Sequence, residues 1–202
     1  MKIVILVEGR TEQAFLPLLK TFIHARLPAG VDRPKLRANR FDGRIPKQEK
    51  LRKIVEHEVG SGADAVIALT DVYTGSGDFQ TADDAKNKMA LWASHHHKFY
   101  PHTALHDFES WLIPFWDDIK RLAGSSRAAP DSAPERINHN KPPASVLSEV
   151  FLQGSKGRTY SKPRDAARIL RGKDLSIAAH ACPELKAFLN RILGLCGGQL
   201  IP

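Results

Sequence analysis

Acidic side chains follow three apolar runs of this sequence. Glu8 follows the run KIVILV, Asp71 follows ADAVIALT, and the pair Asp107 and Glu109 follows a shorter run. Carboxylates that meet in space repel one another, and a hard cation with oxygen ligands, such as Mg²⁺ or Mn²⁺, relieves that repulsion. Such an ion can polarise a phosphoryl oxygen or activate a water molecule. The residue types therefore predict a divalent-metal site for chemistry on phosphate.

Alternating strands and helices would have to bring these acids together. Residues 2–7 form a continuous β-branched run, typical of a strand buried on both faces of a parallel sheet, and residues 35–41, 63–70 and 102–106 predict further strands. A helix is predicted to begin after Gly9. The alternation indicates a three-layer α/β domain with a mainly parallel, four-stranded sheet. Since ligands bind beyond the carboxyl ends of parallel strands, we expect the acids to cluster at that edge.

The remaining helical patterns complete this picture of the fold. Apolar residues recur at helical spacing between Phe15 and Ile23, where Thr11 is the expected cap, and again in residues 51–59 and 82–94. Residues 1–123 would form the α/β core. Residues 124–202 would form a basic loop and a helical extension that packs on that core, as parts of one structural domain. Its helices are predicted in residues 144–151, 164–171 and 183–195.

Composition indicates the partners and the compartment. The 202 residues carry a formal charge of +8. Lys and Arg that meet phosphates release condensed counterions, so DNA or RNA is the natural partner. Cys182 and Cys196 lack metal-type spacing, which fits a reducing compartment. The apolar stretch 2–7 is too short for a signal peptide or a membrane span. We therefore expect a cytoplasmic protein without membrane association.

Three motifs resemble the TOPRIM superfamily. They are the sequence VEGRTE of residues 7–12, the strand that ends in Asp71, and the sequence HDFE of residues 106–109. The likeness runs along nearly the whole chain and is greatest to small bacterial members of unknown function, related to the overcoming-lysogenization-defect nucleases. It implies Mg²⁺ (or Mn²⁺) held by a glutamate after the first strand, here Glu8, and by an Asp-x-Asp pair after the third. In the nuclease-like branch a second acid lies in the first helical turn, and Glu12 matches it.

One motif departs from the family pattern, because Asp71-Val72-Tyr73 stands where the second aspartate is expected. Asp78 or Glu109 could supply the missing oxygen, and Glu109 is the preferred substitute. The resemblance also implies a lysine that stabilises the charged transition state, and Lys162 matches it. The expected metal ligands are Glu8, Glu12, Asp71 and Glu109, and the expected catalytic residues are Glu8, Asp71, Glu109 and Lys162.

Two classes of function follow from these residues. The first is a metal-dependent nuclease or related enzyme acting on phosphodiesters of DNA or RNA, as a component of bacterial anti-phage defence. The resemblance to TOPRIM proteins implies the role in defence and a separately encoded ATPase as partner. The sequence has no Gly-x4-Gly-Lys-Ser/Thr loop, so any ATP hydrolysis would come from that partner. The second is a non-catalytic nucleic-acid-binding or regulatory subunit, which the missing aspartate favours. A third hypothesis is a small phosphotransferase or phosphorelay receiver, but Glu8-Gly9 stands where such a protein has paired aspartates after the first strand.

Overall fold

Four parallel strands form the centre of the protein. The computed structural model describes residues 1–73, 78–137 and 141–202. Its strands are β1 (Lys2–Val7), β2 (Lys35–Arg40), β3 (Ala65–Val72) and β4 (Phe99–Leu105), in the spatial order β2-β1-β3-β4. Each pair of neighbours is parallel. The predicted α/β fold with a four-stranded parallel sheet and C-terminal helices is confirmed.

Helices cover both faces of this sheet. The helices between the strands are α1 (Arg10–His24), α2 (Gln48–Gly60) and α3 (Ala82–Trp92). After β4 come a 3₁₀ helix (Phe108–Phe115), α4 (Trp116–Ala123), a 3₁₀ turn (Pro134–Arg136), α5 (Pro143–Gln153), α6 (Lys162–Ile169), α7 (Leu175–Ala181) and α8 (Pro183–Leu195). Of these described helices, none is long and apolar enough to cross a membrane.

The strand β1 is buried on both faces because each face meets its own core. Ile3, Ile5 and Val7 belong to the larger core, which includes residues of α1 and of all the helices after β4. Val4 and Leu6 belong to the smaller core, which includes residues of α2 and α3. Alternate residues of a strand point to opposite faces, so a strand between two helical layers has to be apolar throughout.

The structure corrects two local predictions around the acids. The strand β3 continues to Val72, so Asp71 lies within it and not after it, because the ladder with β4 includes the pair of Asp71 with Ala104 and the next pair, Val72 with Leu105. The cap of α1 is Gly9 and not Thr11, because the backbone of Gly9 is extended and the helix begins at Arg10. Both differences matter below, because they fix where the carboxylates lie.

Candidate active site

Two neighbouring central strands deliver the first two carboxylates to one edge of the sheet. Val7, the last residue of β1, pairs with Leu69 of β3. Glu8 therefore lies beside Thr70, whose hydroxyl group donates a hydrogen bond to Oε1 of Glu8. Asp71 is the next residue of β3. The parallel register thus brings Glu8 and Asp71 together at the carboxyl edge of the sheet.

The first turn of α1 adds a third carboxylate. Oε2 of Glu12 accepts the backbone N–H of Gly9 at 3.1 Å, which ties the acid to the end of β1. Glu8, Glu12, Asp71 and Lys162 all line one opening of about 380 Å³. Lys162 is the first residue of α6, more than half the chain away in sequence. The structure therefore brings four of the five predicted site residues to one opening.

The fifth predicted residue, Glu109, lies behind Lys162. Its side chain is 1% exposed, and its Oε2 is 3.3 Å from Nζ of Lys162. The hydroxyl group of Tyr160 donates to Oε1 of Glu109 at 3.4 Å. The described residues that line the opening do not include Glu109. Glu109 therefore does not line the opening itself, but it contacts Lys162, which does.

A buried aspartate accompanies Glu109 at the end of β4. Asp107 is fully buried, and its Oδ2 accepts the backbone N–H of Ala144 at 3.1 Å. Its Oδ1 has no hydrogen-bond partner among the residues that the structure describes. A buried carboxylate oxygen without a donor is costly, so a cation or a proton would stabilise it.

Burial and repulsion between carboxylates raise the pKa values of Glu8 and Asp71. Burial raises the pKa of Glu8, and the negative charge of Glu12 raises it further. Burial also raises the pKa of Asp71 well above its ordinary value, with added repulsion first from Glu12 and Glu8 and then from Asp107 and Glu109. Asp71 therefore lies within the field of all four other acids, and the group behaves as one electrostatic unit.

Lys162 remains a cation in this environment. Burial acts to lower its pKa, but the charges of Glu109, Asp107 and Asp71 outweigh burial and raise it. For Glu109 burial raises the pKa to about 7, Lys162 opposes that rise, and Asp107 adds to it. The site thus holds one positive charge among acids that favour protonation or a bound cation.

The described carboxylate oxygens at this edge are suitable ligands for a hard divalent cation, but they do not lie close enough together to coordinate one. Carboxylate oxygens are the ligands that Mg²⁺ prefers, and a cation would relieve the repulsion around Asp71. In the described ranges, however, no three acidic, histidine or cysteine side chains converge closely enough to hold a metal ion. An ion would have to draw the carboxylates of Glu8, Glu12 and Asp71 together.

The other candidate for the missing oxygen has a different role. Asp78 forms ion pairs with Arg44 and with Lys47, whose Nζ lies 2.5 Å from Oδ1. Sequence reasoning missed the Thr70 hydroxyl group that contacts Glu8 and the Tyr160 hydroxyl group that contacts Glu109. No pattern in the sequence marks either contact, because each joins residues that are far apart in the chain.

Comparison with known proteins identified one family and two structural relatives. A family model described as Domain of unknown function (DUF4276) matches residues 7–193. No curated protein matches the chain significantly. The C-terminal region of the Burkholderia pseudomallei OLD protein is 12% identical with a TM-score of 0.45, over 93% of this chain and 98% of that one. The C-terminal region of the Xanthomonas campestris pv. campestris OLD protein is 13% identical with a TM-score of 0.42, over 93% and 95%.

Proposed function

The chain belongs to the DUF4276 family, and we propose that it is a metal-dependent enzyme of the TOPRIM kind that cleaves phosphodiesters of DNA or RNA. One observation carries the proposal. The carboxylates of Glu8, Glu12 and Asp71 line the same opening as Lys162, at the carboxyl edge of a parallel sheet, and Asp42 and Arg10 line it as well. The resemblance of residues 7–12 to the TOPRIM glutamate motif supports the same conclusion.

The residues of the opening have separate tasks in this proposal. A divalent cation, Mg²⁺ or Mn²⁺, held by Glu8, Glu12 and Asp71, would polarise the phosphoryl oxygen and activate water. Thr70 fixes the carboxylate of Glu8 through its hydrogen bond. Lys162 supplies positive charge where negative charge develops on the phosphate in the transition state.

Glu109 and Tyr160 act as positioning residues. The Tyr160 hydroxyl group and Lys162 contact different oxygens of the Glu109 carboxylate. A buried carboxylate held at both oxygens limits the orientations open to Lys162, so its ammonium group can be aimed before substrate binds. Glu109 therefore serves the reaction through the lysine, in place of the direct metal contact expected from the sequence.

Positive charge beside the opening supports a polymeric substrate. Asp165 of α6 is fully buried and accepts hydrogen bonds from Arg158 at 2.7 and 3.0 Å. Arg164 and Arg168 lie 3.5 and 3.9 Å from the same carboxylate. Three guanidinium groups thus share one negative charge on the helix that carries Lys162. Surplus positive charge of this kind tracks a phosphate backbone.

Cleavage assays test the proposal. Labelled single-stranded DNA, duplex DNA and RNA would be incubated with the purified protein in Mg²⁺, in Mn²⁺ and in EDTA. We expect metal-dependent cleavage that falls at least about 100-fold in Glu8→Gln and in Asp71→Asn, because each substitution keeps the side-chain shape but removes a ligand charge. Binding of nucleic acid should persist in both variants.

Matched controls separate loss of a ligand from loss of any acid. Glu56→Gln and Asp117→Asn make the same chemical changes at side chains that are 54% and 94% exposed, and both should cleave like the wild type. Full activity of Glu8→Gln and Asp71→Asn would place the chemistry elsewhere in the molecule.

A non-catalytic binding subunit is the second candidate function. Two observations favour it: Tyr73 lies where the TOPRIM pattern has its second aspartate, and the described acids do not converge closely enough to hold a metal ion. Either function would fit a role in bacterial anti-phage defence beside a separately encoded ATPase. Salt-sensitive binding without cleavage, with every metal and with the candidate ATPase added, would decide for the binding subunit.

A further inference from the structure

A second cavity, of about 200 Å³, adjoins the same carboxylates. Glu8 and Asp71 line both this cavity and the opening described above. The second cavity lies towards the face of the sheet covered by α2 and α3. Its described apolar wall consists of Ile45, Phe79, Met89 and Trp92. The two acids therefore stand between an open polar space and a smaller space with an aromatic wall.

Two of the aromatic rings that line the cavity, those of Tyr73 and Trp92, are partly exposed. Met89 and Trp92 lie three residues apart on α3, so they share a face of that helix. The ring centroids of Phe79 and Trp92 are 6.0 Å apart. Phe79 and Met89 are buried at 9% and 1% exposure, whereas Trp92 is partly exposed. Within the apolar wall, the indole ring of Trp92 is thus the part that a flat ligand can reach, and the ring of Tyr73 lines the same cavity.

Cations stand at the rim of this cavity. Arg44 and Lys47 both line it, and both pair with Asp78. Two positive charges that share one carboxylate leave a surplus for a phosphate group, which guanidinium and ammonium groups bind well. The cavity therefore combines an apolar ring surface with positive charge, next to the proposed metal ligands.

We infer that this cavity receives the base of an unpaired nucleotide, whose phosphate group lies between the rim cations Arg44 and Lys47 and the cation that Glu8 and Asp71 would hold. Aromatic side chains bind bases by stacking, whatever the base. A base within a duplex is stacked on its neighbours and has to leave the helix to reach such a space. The inference rests on the proposed function and narrows its substrate class to single-stranded or locally unpaired nucleic acid.

Binding to strands with and without bases tests the inference. Fluorescence anisotropy would compare a labelled single strand of about 12 nucleotides with an abasic strand of the same length and charge. Measurements in EDTA and in Ca²⁺ avoid Mg²⁺ and Mn²⁺. We expect the wild type to prefer the strand with bases by about 5- to 100-fold, the effect of stacking one base. Trp92→Ala should reduce this preference to about one.

Two variants and one spectroscopic readout serve as controls. Trp92→Phe keeps an aromatic ring and should keep most of the preference, and Leu91→Ala changes a neighbouring side chain that is 63% exposed and should bind like the wild type. Trp111 and Trp116 are 2% and 7% exposed, so quenching of wild-type tryptophan fluorescence by the strand with bases would report mainly on Trp92. That readout does not depend on the folding of any variant.

Several outcomes would overturn the inference. They are equal binding of the two strands by the wild type, an unchanged preference in folded Trp92→Ala, and no binding of either strand at low salt. A nucleoside monophosphate that binds as tightly as the strand would assign the cavity to a free nucleotide instead. Because none of these measurements needs cleavage, the base site and the nuclease proposal can fail independently.

Discussion

Because His102 is buried, we predict that the protein loses stability in mild acid. Its side chain is 7% exposed, and its Nδ1 atom has no hydrogen-bond partner in the described part of the chain. Burial lowers its pKa from 6.5 to about 3, and the positive charges of Arg191 and Lys86 add to that effect. The unfolded chain takes up a proton below about pH 6.5, whereas the folded chain does so only near pH 3. Folding is therefore favoured above pH 6.5, and this contribution is lost as the pH falls towards 3.

The size of the loss in free energy of unfolding follows from the difference between the pH and the pKa of the unfolded histidine. A pH of about 5 is about 1.5 units below the pKa of 6.5 of the histidine in the unfolded chain. At about 1.4 kcal/mol per pH unit, the free energy of unfolding falls by about 2 kcal/mol. His102→Phe removes the proton site and can pack against Phe188, whose ring centroid lies 5.7 Å from that of the histidine. Urea unfolding followed by circular dichroism, at about pH 7 and about pH 5, measures the effect. The free energy of unfolding of the variant should fall by about 2 kcal/mol less than that of the wild type.

An exposed histidine provides the control for this experiment. His57 lies on the exposed side of α2, and His57→Gln should keep the pH dependence of the wild type. If the wild type and His102→Phe lose the same free energy of unfolding between the two pH values, the argument from burial of His102 is wrong.

Two further substitutions test the positions of charges around α6. Lys162→Met should lower the free energy of unfolding by about 1–3 kcal/mol at neutral pH, because the buried carboxylate of Glu109 loses a charged partner. The double variant Lys162→Met with Glu109→Gln should regain stability in urea unfolding but should not regain cleavage. Restored cleavage in the double variant would contradict the role of Lys162. Asp165→Ala should lower the free energy of unfolding by about 1–3 kcal/mol in the same assay, because Arg158 and the backbone N–H of Ser161 lose their charged acceptor. Asp117→Ala, at an exposed acid, should change little, and an equal loss in both variants would refute the argument.

The sheet could be predicted from the sequence because its signal is local. Residues 3–7 and 65–69 are apolar at every position, as a strand between two helical layers requires. The end of β3 was misplaced because Asp71 was expected to stop the strand. The end of β3 is fixed by its pairing with β4. This pairing depends on the tertiary fold, so the residues of β3 alone do not predict it.

The candidate site was only partly predictable for the same reason. Glu8 and Glu12 are four residues apart, so one motif marks both. The contacts of Glu109 with Tyr160 and Lys162 span 51 and 53 residues, and no local spacing encodes them. The short helix α7 and the 3₁₀ helix after β4, which contains Pro114, have weak local patterns and depend on the packing of the larger core.

The strand order creates a topological switch point between β1 and β3. From β1 the chain passes into α1 on one face of the sheet, whereas from β3 it leads to α3 on the opposite face. The two connections diverge and leave a crevice between the carboxyl ends of the strands, where open α/β sheets hold their ligands. The crevice exists whatever side chains line it. Relatives could therefore exchange residues at positions 8, 71 and 73 and change their chemistry while the sheet stays intact.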